Sequence, residues 1–517
     1  MVWFPQEIVT NIAAFLPAPQ RPDDNGHHQR GASNRPRIAT VSRMWQRAIE
    51  PLIFRSLRIT SEDLAAFISL FSPASNPRRS LLKELRFDIV LPDYDDAACA
   101  QYETNEDRNR NSAAASSCMS TFLDELSKWP SHYRLNLTLD IYAPTDSSHR
   151  TAAKRSEDLH AVEIGERRDL FGDRYRYSYI RLWNTHYRPV SCVAALSPPQ
   201  GDRFLEPSSL VALVSAFPRV ETVSWSHRDP GFFRVLRRQH MQQFAEALTV
   251  YPVSSTARTF SLTIKTPGYP HFVRPPHLAG RVSGGSMCDA LRRLIGRSSL
   301  HKFRYQGPID PSLFWPDGSE TTDSEWSSLR EVWIRFDMAS LSGEWFFKPY
   351  ESVPHDPALY DLPLTQSFLV LPPPGYGSKE DTAAGLKMVK DLETPTDFEG
   401  VPLPGIYFRQ ISRDEVIVPL LEAIARRLSH TPSLRTLYLE AALPGRWGLW
   451  FFSYAAPGEL SGYEEWMEEP DPDLLRARIF LHTTIWRPDP KVVNMLRDIG
   501  EKCYGQESIV TFLPFLS

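Results

Sequence analysis

VIVPLLEAIARRLSHTPSLRTLYLE, residues 416–440, contains a complete helix–proline–strand unit. Its first part reads as a helix. Pro432 prevents continuation of that helix and sends the chain into an extended segment. There Leu434-x-x-Leu437-x-Leu439 places alternate apolar residues on one side of a strand.

The same strand pattern occurs at Leu82-x-x-Leu85-x-Phe87, Val220-x-x-Val223-x-Trp225, Leu300-x-x-Phe303-x-Tyr305 and Leu329-x-x-Val332-x-Ile334. Alternating strands are also expected at Leu135, Leu137, Leu139 and at Phe260, Leu262, Ile264. Helices ending in proline precede several of them: STFLDELSKWP (120–130), PSSLVALVSAFP (207–218) and MQQFAEALTVYP (241–252). A further capped helix is expected in TSEDLAAFISLF (60–71). The L-x-x-L-x-L core resembles the strand of a leucine-rich repeat. No single unit could bury its apolar face alone, which makes a stacked α/β solenoid the expected architecture. The spacing between strands departs from the roughly 20–29 residues of regular leucine-rich repeats. Pro-, Gly-, Ser- and Asp-rich insertions near residues 93–115, 144–160, 267–285 and 353–400 fill the difference, and long loops are expected there.

The N-terminal 60 residues read differently from the body at 61–517. Pro5 suits the first turn of a helix, and Glu7 complements the positive end of its dipole. Ile8, Ile12, Phe15 and Leu16 form one stripe before Pro17 and Pro19 end the pattern. The segment 18–37 has no apolar period and reads as a loop; its His27-His28 pair lacks metal-ligand spacing. A second helix is expected over 37–54, with Val41, Trp45, Ile49 and Leu52 on one face until Pro51 bends or ends it. Two such short helices share only a small core, and modules of this size need a partner or a neighbouring domain.

FPQEIVTNIAAFLP (4–17) followed by ATVSRMWQRAIEPLIFRSLRI (39–59) resembles the F-box pattern, most closely that of fungal F-box proteins of the leucine-rich type. The connection after Leu16 is longer than the family's usual one, and Phe4 stands where leucine is more common. The resemblance implies a mixed α/β chain: a short helical F-box module, then an irregular leucine-rich-repeat-like solenoid with long loop insertions. It implies that Phe4, Pro5, Ile8, Ile12, Leu16, Val41 and Trp45 contact a Skp-type adaptor and through it a cullin scaffold. The body would then recruit a protein substrate for ubiquitin transfer, with no bond chemistry and no cofactor. The alternative is a repeat-type interaction scaffold whose N-terminal helices only cap the solenoid.

Composition narrows the field. A hydrophobic content of 42% with 12% aromatics is that of a globular protein, and 517 residues exceed a single ordinary core. A mean hydropathy of -0.34 and the lack of a long apolar run argue against membrane spans. The start, without a basic leader or a small-residue cleavage site, points to the cytosol or nucleus. Cys99, Cys118, Cys192, Cys288 and Cys503 lie far apart without C-x-x-C pairing, as reduced thiols do. A net charge of -4 supplies no field for nucleic acid, and the local basic stretch Arg167, Arg168, Arg174, Arg176 is interleaved with Glu166, Asp169 and Asp173.

No catalytic motif assembles. GRVSGGSMCDALRRL (280–294) precedes a helix but matches neither Gly-rich phosphate-binding pattern, and G-x-S-x-G and H-E-x-x-H are absent. Two aromatic clusters stand out: Trp345, Phe346, Phe347, and Trp447, Trp450, Phe451, Phe452, Tyr454. They fit either a β-layer core or, at Trp447, Trp450 and Phe451, an exposed anchor for a partner. The acidic run Glu464, Glu465, Glu468, Glu469, Asp471, Asp473 would then steer a basic partner or simply form a solvated loop.

Overall fold

Alternation of apolar and polar residues becomes a mostly parallel sheet in a mixed α/β chain. The computed structural model describes residues 5–15, 35–72, 76–99, 101–146, 174–199, 201, 203–230, 233–251, 253–265, 287–316, 326–341, 344–348, 372–393, 410–443, 448–464 and 473–513. They divide into two compact units: Met1–Ser209 with Ala216–Val220, and Leu210–Ser215 with Glu221–Ser517.

The first unit starts with helices α1 (Gln6–Phe15), α2 (Arg35–Ala39) and α3 (Arg43–Ile53). Its strands β1 (Ser56–Thr60), β2 (Glu84–Val90), β3 (Leu135–Tyr142) and β4 (Val193–Ser197) are all parallel. Helix α4 (Leu64–Phe71) and the long helix α5 (Asn105–Ser127) intervene. Leu57, Leu85 and Leu137 share one row across the strands, and Ile59, Phe87 and Leu139 share the next. Phe122 of α5 stacks on Phe87 at 4.1 Å, while Phe67 and Phe71 of α4 pack on Trp129. Each such side chain removed from water contributes about 1.5–3 kcal/mol.

In the second unit β5 (Thr222–Arg228), β6 (Thr259–Lys265), β7 (Lys302–Gly307), β8 (Glu331–Phe336) and β9 (Thr436–Ala442) pair in parallel. β10 (Leu449–Ala455) and β11 (Arg478–His482) then pair antiparallel, and β12 (Ile509–Phe512) returns parallel to β11. Val223, Phe260, Phe303, Val332 and Leu437 form one row across five strands; Trp225, Leu262, Tyr305, Ile334 and Leu439 form the next. All ten are buried. The strand entrances repeat one bonding device. The Glu221 carbonyl accepts from the Arg258 and Thr259 N–H groups, Arg258 from His301 and Lys302, His301 from Arg330 and Glu331, and Arg330 from Arg435 and Thr436. Strands β5 to β9 thus enter at the same level whatever length of chain separates each from the last.

Three expectations need correction. The loop expected at 93–115 is largely helix: the Thr104 hydroxyl caps the Asp107 N–H at 3.1 Å while the Asp107 carboxylate bonds the Thr104 N–H, starting α5 at Asn105. Within 353–400, Lys379–Glu393 is helical, capped by Ser378, whose hydroxyl accepts from the Asp381 N–H. The segment 267–285 and most of 144–160 lie outside the described residues. The compact units do not divide at residue 60, because β1 lies within the first 60 residues and is a strand of the sheet, hydrogen-bonded along its length to β2.

Candidate docking surfaces

Helices α1 to α3 pack around Val9, Ala13, Ala48 and Ile49, with Ile38, Ala39, Met44, Trp45, Leu52 and Ile53 against them. The Gln6 amide donates to the Met44 carbonyl at 3.1 Å, tying α1 to α3. The helix expected over 37–54 is broken in two. Thr40 and Val41 turn, and Ser42, fully extended, caps α3 by accepting from the Trp45 N–H at 3.3 Å. Val41 therefore sits in a turn and not on the helical face. Pro51 does not end α3, which runs on to Ile53.

The inward stripe of α1 is Val9 and Ala13, one position along from the expected Ile8 and Ile12. Ile8 is 43% exposed, Ile12 44% and Val41 68%. Pro5 is exposed and Trp45 half-buried; Phe4 and Leu16 lie outside the described residues. Helix α1 thus has two apolar faces, one packed and one in solvent. The trio is anchored within its unit by Glu50, which pairs with Arg78 at 2.7 Å, and by the Arg78 guanidinium lying 5.1 Å over the Phe54 ring. Burial would raise the Glu50 carboxyl, but hydrogen bonds from Arg78 and Gln46 hold it below the usual carboxylate range.

A second surface is the polar side of the sheet in the second unit. Ser224, Ser261, Arg304, Trp333 and Tyr438 make one row; Ser226, Thr263, Gln306, Arg335 and Glu440 make the next. Arg304, Arg335, Lys265 and Lys302 are exposed, and Trp333 is half-buried between the Arg304 and Tyr438 positions. Lys302 pairs with Glu331 at 2.7 Å, and Arg335 lies 3.9 Å from Glu440. Burial raises the Glu440 carboxyl despite Arg335, and burial with the Glu440 charge pushes the Tyr438 hydroxyl up to about 12. In the first unit the corresponding side of the sheet is internally paired: Arg58 and Arg86 both hold Asp88, at 2.5 and 2.8 Å, and Arg86 also reaches Asp140 at 2.7 Å.

Of the two readings offered for Trp450 and Phe451, core and exposed anchor, the structure has both as core residues. Trp450 is fully buried, packs on Phe336 and Phe347, and donates its indole N–H to Ser412 at 3.2 Å. Phe451 is buried between Tyr438, Tyr463 and His482. Trp345, Phe346 and Phe347 are buried as well. Trp447 and most of the acidic run lie outside the described residues. Glu464, which opens that run, is not a solvated charge: it is buried and paired with the fully buried Arg478 at 2.8 Å. Burial pushes up the thiols of Cys118, Cys192, Cys288 and Cys503, Cys192 to about 12. Among the described residues, no group of acidic, His and Cys side chains is arranged to hold a metal ion, and no helix is long and apolar enough to cross a membrane.

No protein-family model matches the chain, and no curated protein does either.

Proposed function

We propose that this chain is the substrate-recognition adaptor of a Skp-cullin-F-box type ubiquitin ligase. The N-terminal trio docks a Skp-type adaptor, and a leucine-rich-repeat-like solenoid body recruits a protein substrate. The observation that carries this reading is the second apolar face of α1: Ile8 and Ile12, one helical turn apart, stand in solvent, as does Val41, while Val9, Ala13, Ala48 and Ile49 fill the trio's core. Helices of this kind lay an apolar face into a partner's groove. The polar side of the sheet from β5 to β9, with Trp333 and Arg304, is the recruiting surface. The chain acts by raising the effective concentration of substrate lysines beside a ubiquitin-loaded enzyme, which needs no catalytic residue of its own.

The test is co-purification with a Skp-type adaptor of the parent chain and of an Ile8→Glu/Ile12→Glu variant, with circular dichroism of both. Capture by the parent and loss in a still-folded variant is expected; equal capture by both would sink the assignment. These positions are preferred to Trp45, whose ring packs on the trio's core. A second reading, a solenoid cap, is favoured by the Glu50–Arg78 pair and by β1 lying at the sheet edge. If the helices only cap, deleting residues 1–53 removes solubility, whereas loss of a docking module leaves a soluble body.

A further inference from the structure

Trp183 is 60% exposed, although large aromatic side chains are usually covered. The backbone carrying it is held from several points. The Arg181 N–H donates to Ser112 Oγ at 3.1 Å, the Leu182 N–H to Ser209 Oγ at 2.9 Å and the Trp183 N–H to Ser116 Oγ at 2.9 Å. Ser116 Oγ in turn donates to the Arg181 carbonyl at 3.3 Å. Ser112 and Ser116 project from α5, Ser209 from the helix Pro207–Ser215, and all three are buried. Leu182 plugs inward at 1% exposure, and by alternation Arg181 and Trp183 point out. This is a rigid mount for an exposed indole.

The segment that carries Trp183 is basic: Arg181 and Arg188 are exposed, and residues 179–191 contain no carboxylate. Glu206 approaches Arg181 only at 3.9 Å, from a largely buried position, with the Arg181 side chain 70% exposed. Burial raises the Glu206 carboxyl, against the pull of Arg181 and Arg108.

We propose that Trp183, with Arg181 and Arg188, is a docking anchor for an acidic segment of a partner protein. Trp and Arg dominate the energetics of protein interfaces. An indole on a backbone already fixed by three serines loses little further freedom on binding. Arg181 and Arg188, which flank Trp183 in the chain, attract carboxylates to this segment. The anchor shares no residue with the adaptor-docking face or the sheet surface, so its failure would leave the proposed ligase role standing.

A randomised peptide library displayed on phage, selected against the full chain, tests this. Asp- and Glu-rich peptides should be enriched, with binding that falls about tenfold or more, roughly 1.4 kcal/mol, in Trp183→Ala. Arg181→Ala/Arg188→Ala should weaken the same peptides and flatten their salt dependence. Ser116→Ala keeps the indole but loosens its mount, and should give an intermediate loss; melting temperatures of all variants monitor folding. Selected peptides that bind Trp183→Ala as well as the parent, peptides without acidic residues, or failure to select any Trp183-dependent sequence would overturn the proposal.

Discussion

In the second unit's sheet one side buries large apolar residues, with Trp225, Phe260, Phe303 and Tyr305 in register, and mostly polar residues, with Trp333 and Tyr438 among them, take the other. The N-terminal trio leaves apolar residues uncovered. Val9, Ala13, Ala48 and Ile49 fill its core, while Ile8, Ile12 and Val41, equally apolar, are left in water. The sheet's apolar material is spent on its own stability, whereas part of the trio's is withheld from it. Substitutions in the two regions should therefore separate stability from recognition.

The largest stability effect is expected where a charge is buried in the body. The Arg478 guanidinium, fully buried, holds both oxygens of Glu464 and donates to the carbonyls of Glu459, Asp473, Leu474 and Arg476. Arg478→Ala strands a buried carboxylate and should cost about 3–5 kcal/mol in denaturant unfolding. The pair also sets a pH dependence. Burial would raise the Glu464 carboxyl, but hydrogen bonds from Arg478 and Ser461 and the guanidinium charge hold it below its usual 4.5. A carboxyl depressed in the folded state stabilises above its unfolded pKa, and this contribution is lost as pH falls through the lower folded value. An Arg478→Met/Glu464→Gln variant should lose this part of the acid sensitivity; an unchanged pH profile would count against the pair's role.

Next in size is a cavity in the shared row. Leu439→Ala, fully buried beside Ile334, should cost about 2–5 kcal/mol in the same assay. The row is also what the sequence made most legible. Each L-x-x-L-x-L strand came through because alternation is a local property, and the parallel register then follows from equal entry levels. β10 was hidden, since LWFFSYA is apolar on both sides and looks like an aromatic cluster. Its Phe451 side is covered by Tyr463, a contact from outside the strand. The start of α5 was hidden for the opposite reason: Ser112 and Ser116 are buried but polar, their hydroxyls spent on the Trp183 segment, so no apolar period marks that face.

In the trio, overpacking should cost less than a body cavity. Ala13 is fully buried where α1 meets the trio's core, and Ala13→Leu should destabilise by about 1–3 kcal/mol. The loss should appear as faster hydrogen exchange in α1 with little change in β5 to β9. Equal acceleration throughout would show that the two regions unfold as one and would blur the contrast drawn here.

The smallest stability effect should come from the outer face of α1. Apolar residues at 8, 9, 12 and 13 offer two possible inward stripes, and period alone cannot choose between them. The choice depends on α3, whose Ala48 and Ile49 meet Val9 and Ala13. Ile8→Ser and Ile12→Ser remove side chains already in water, so each should change stability by no more than about 0.5 kcal/mol. The proposed role predicts that the same variants weaken adaptor capture strongly. A face that can be made polar without loss of fold, yet not without loss of capture, belongs to the partner; if Ile8→Ser instead destabilises the trio by about 2 kcal/mol, a typical penalty for altering a core, the outer stripe is part of the chain's own packing.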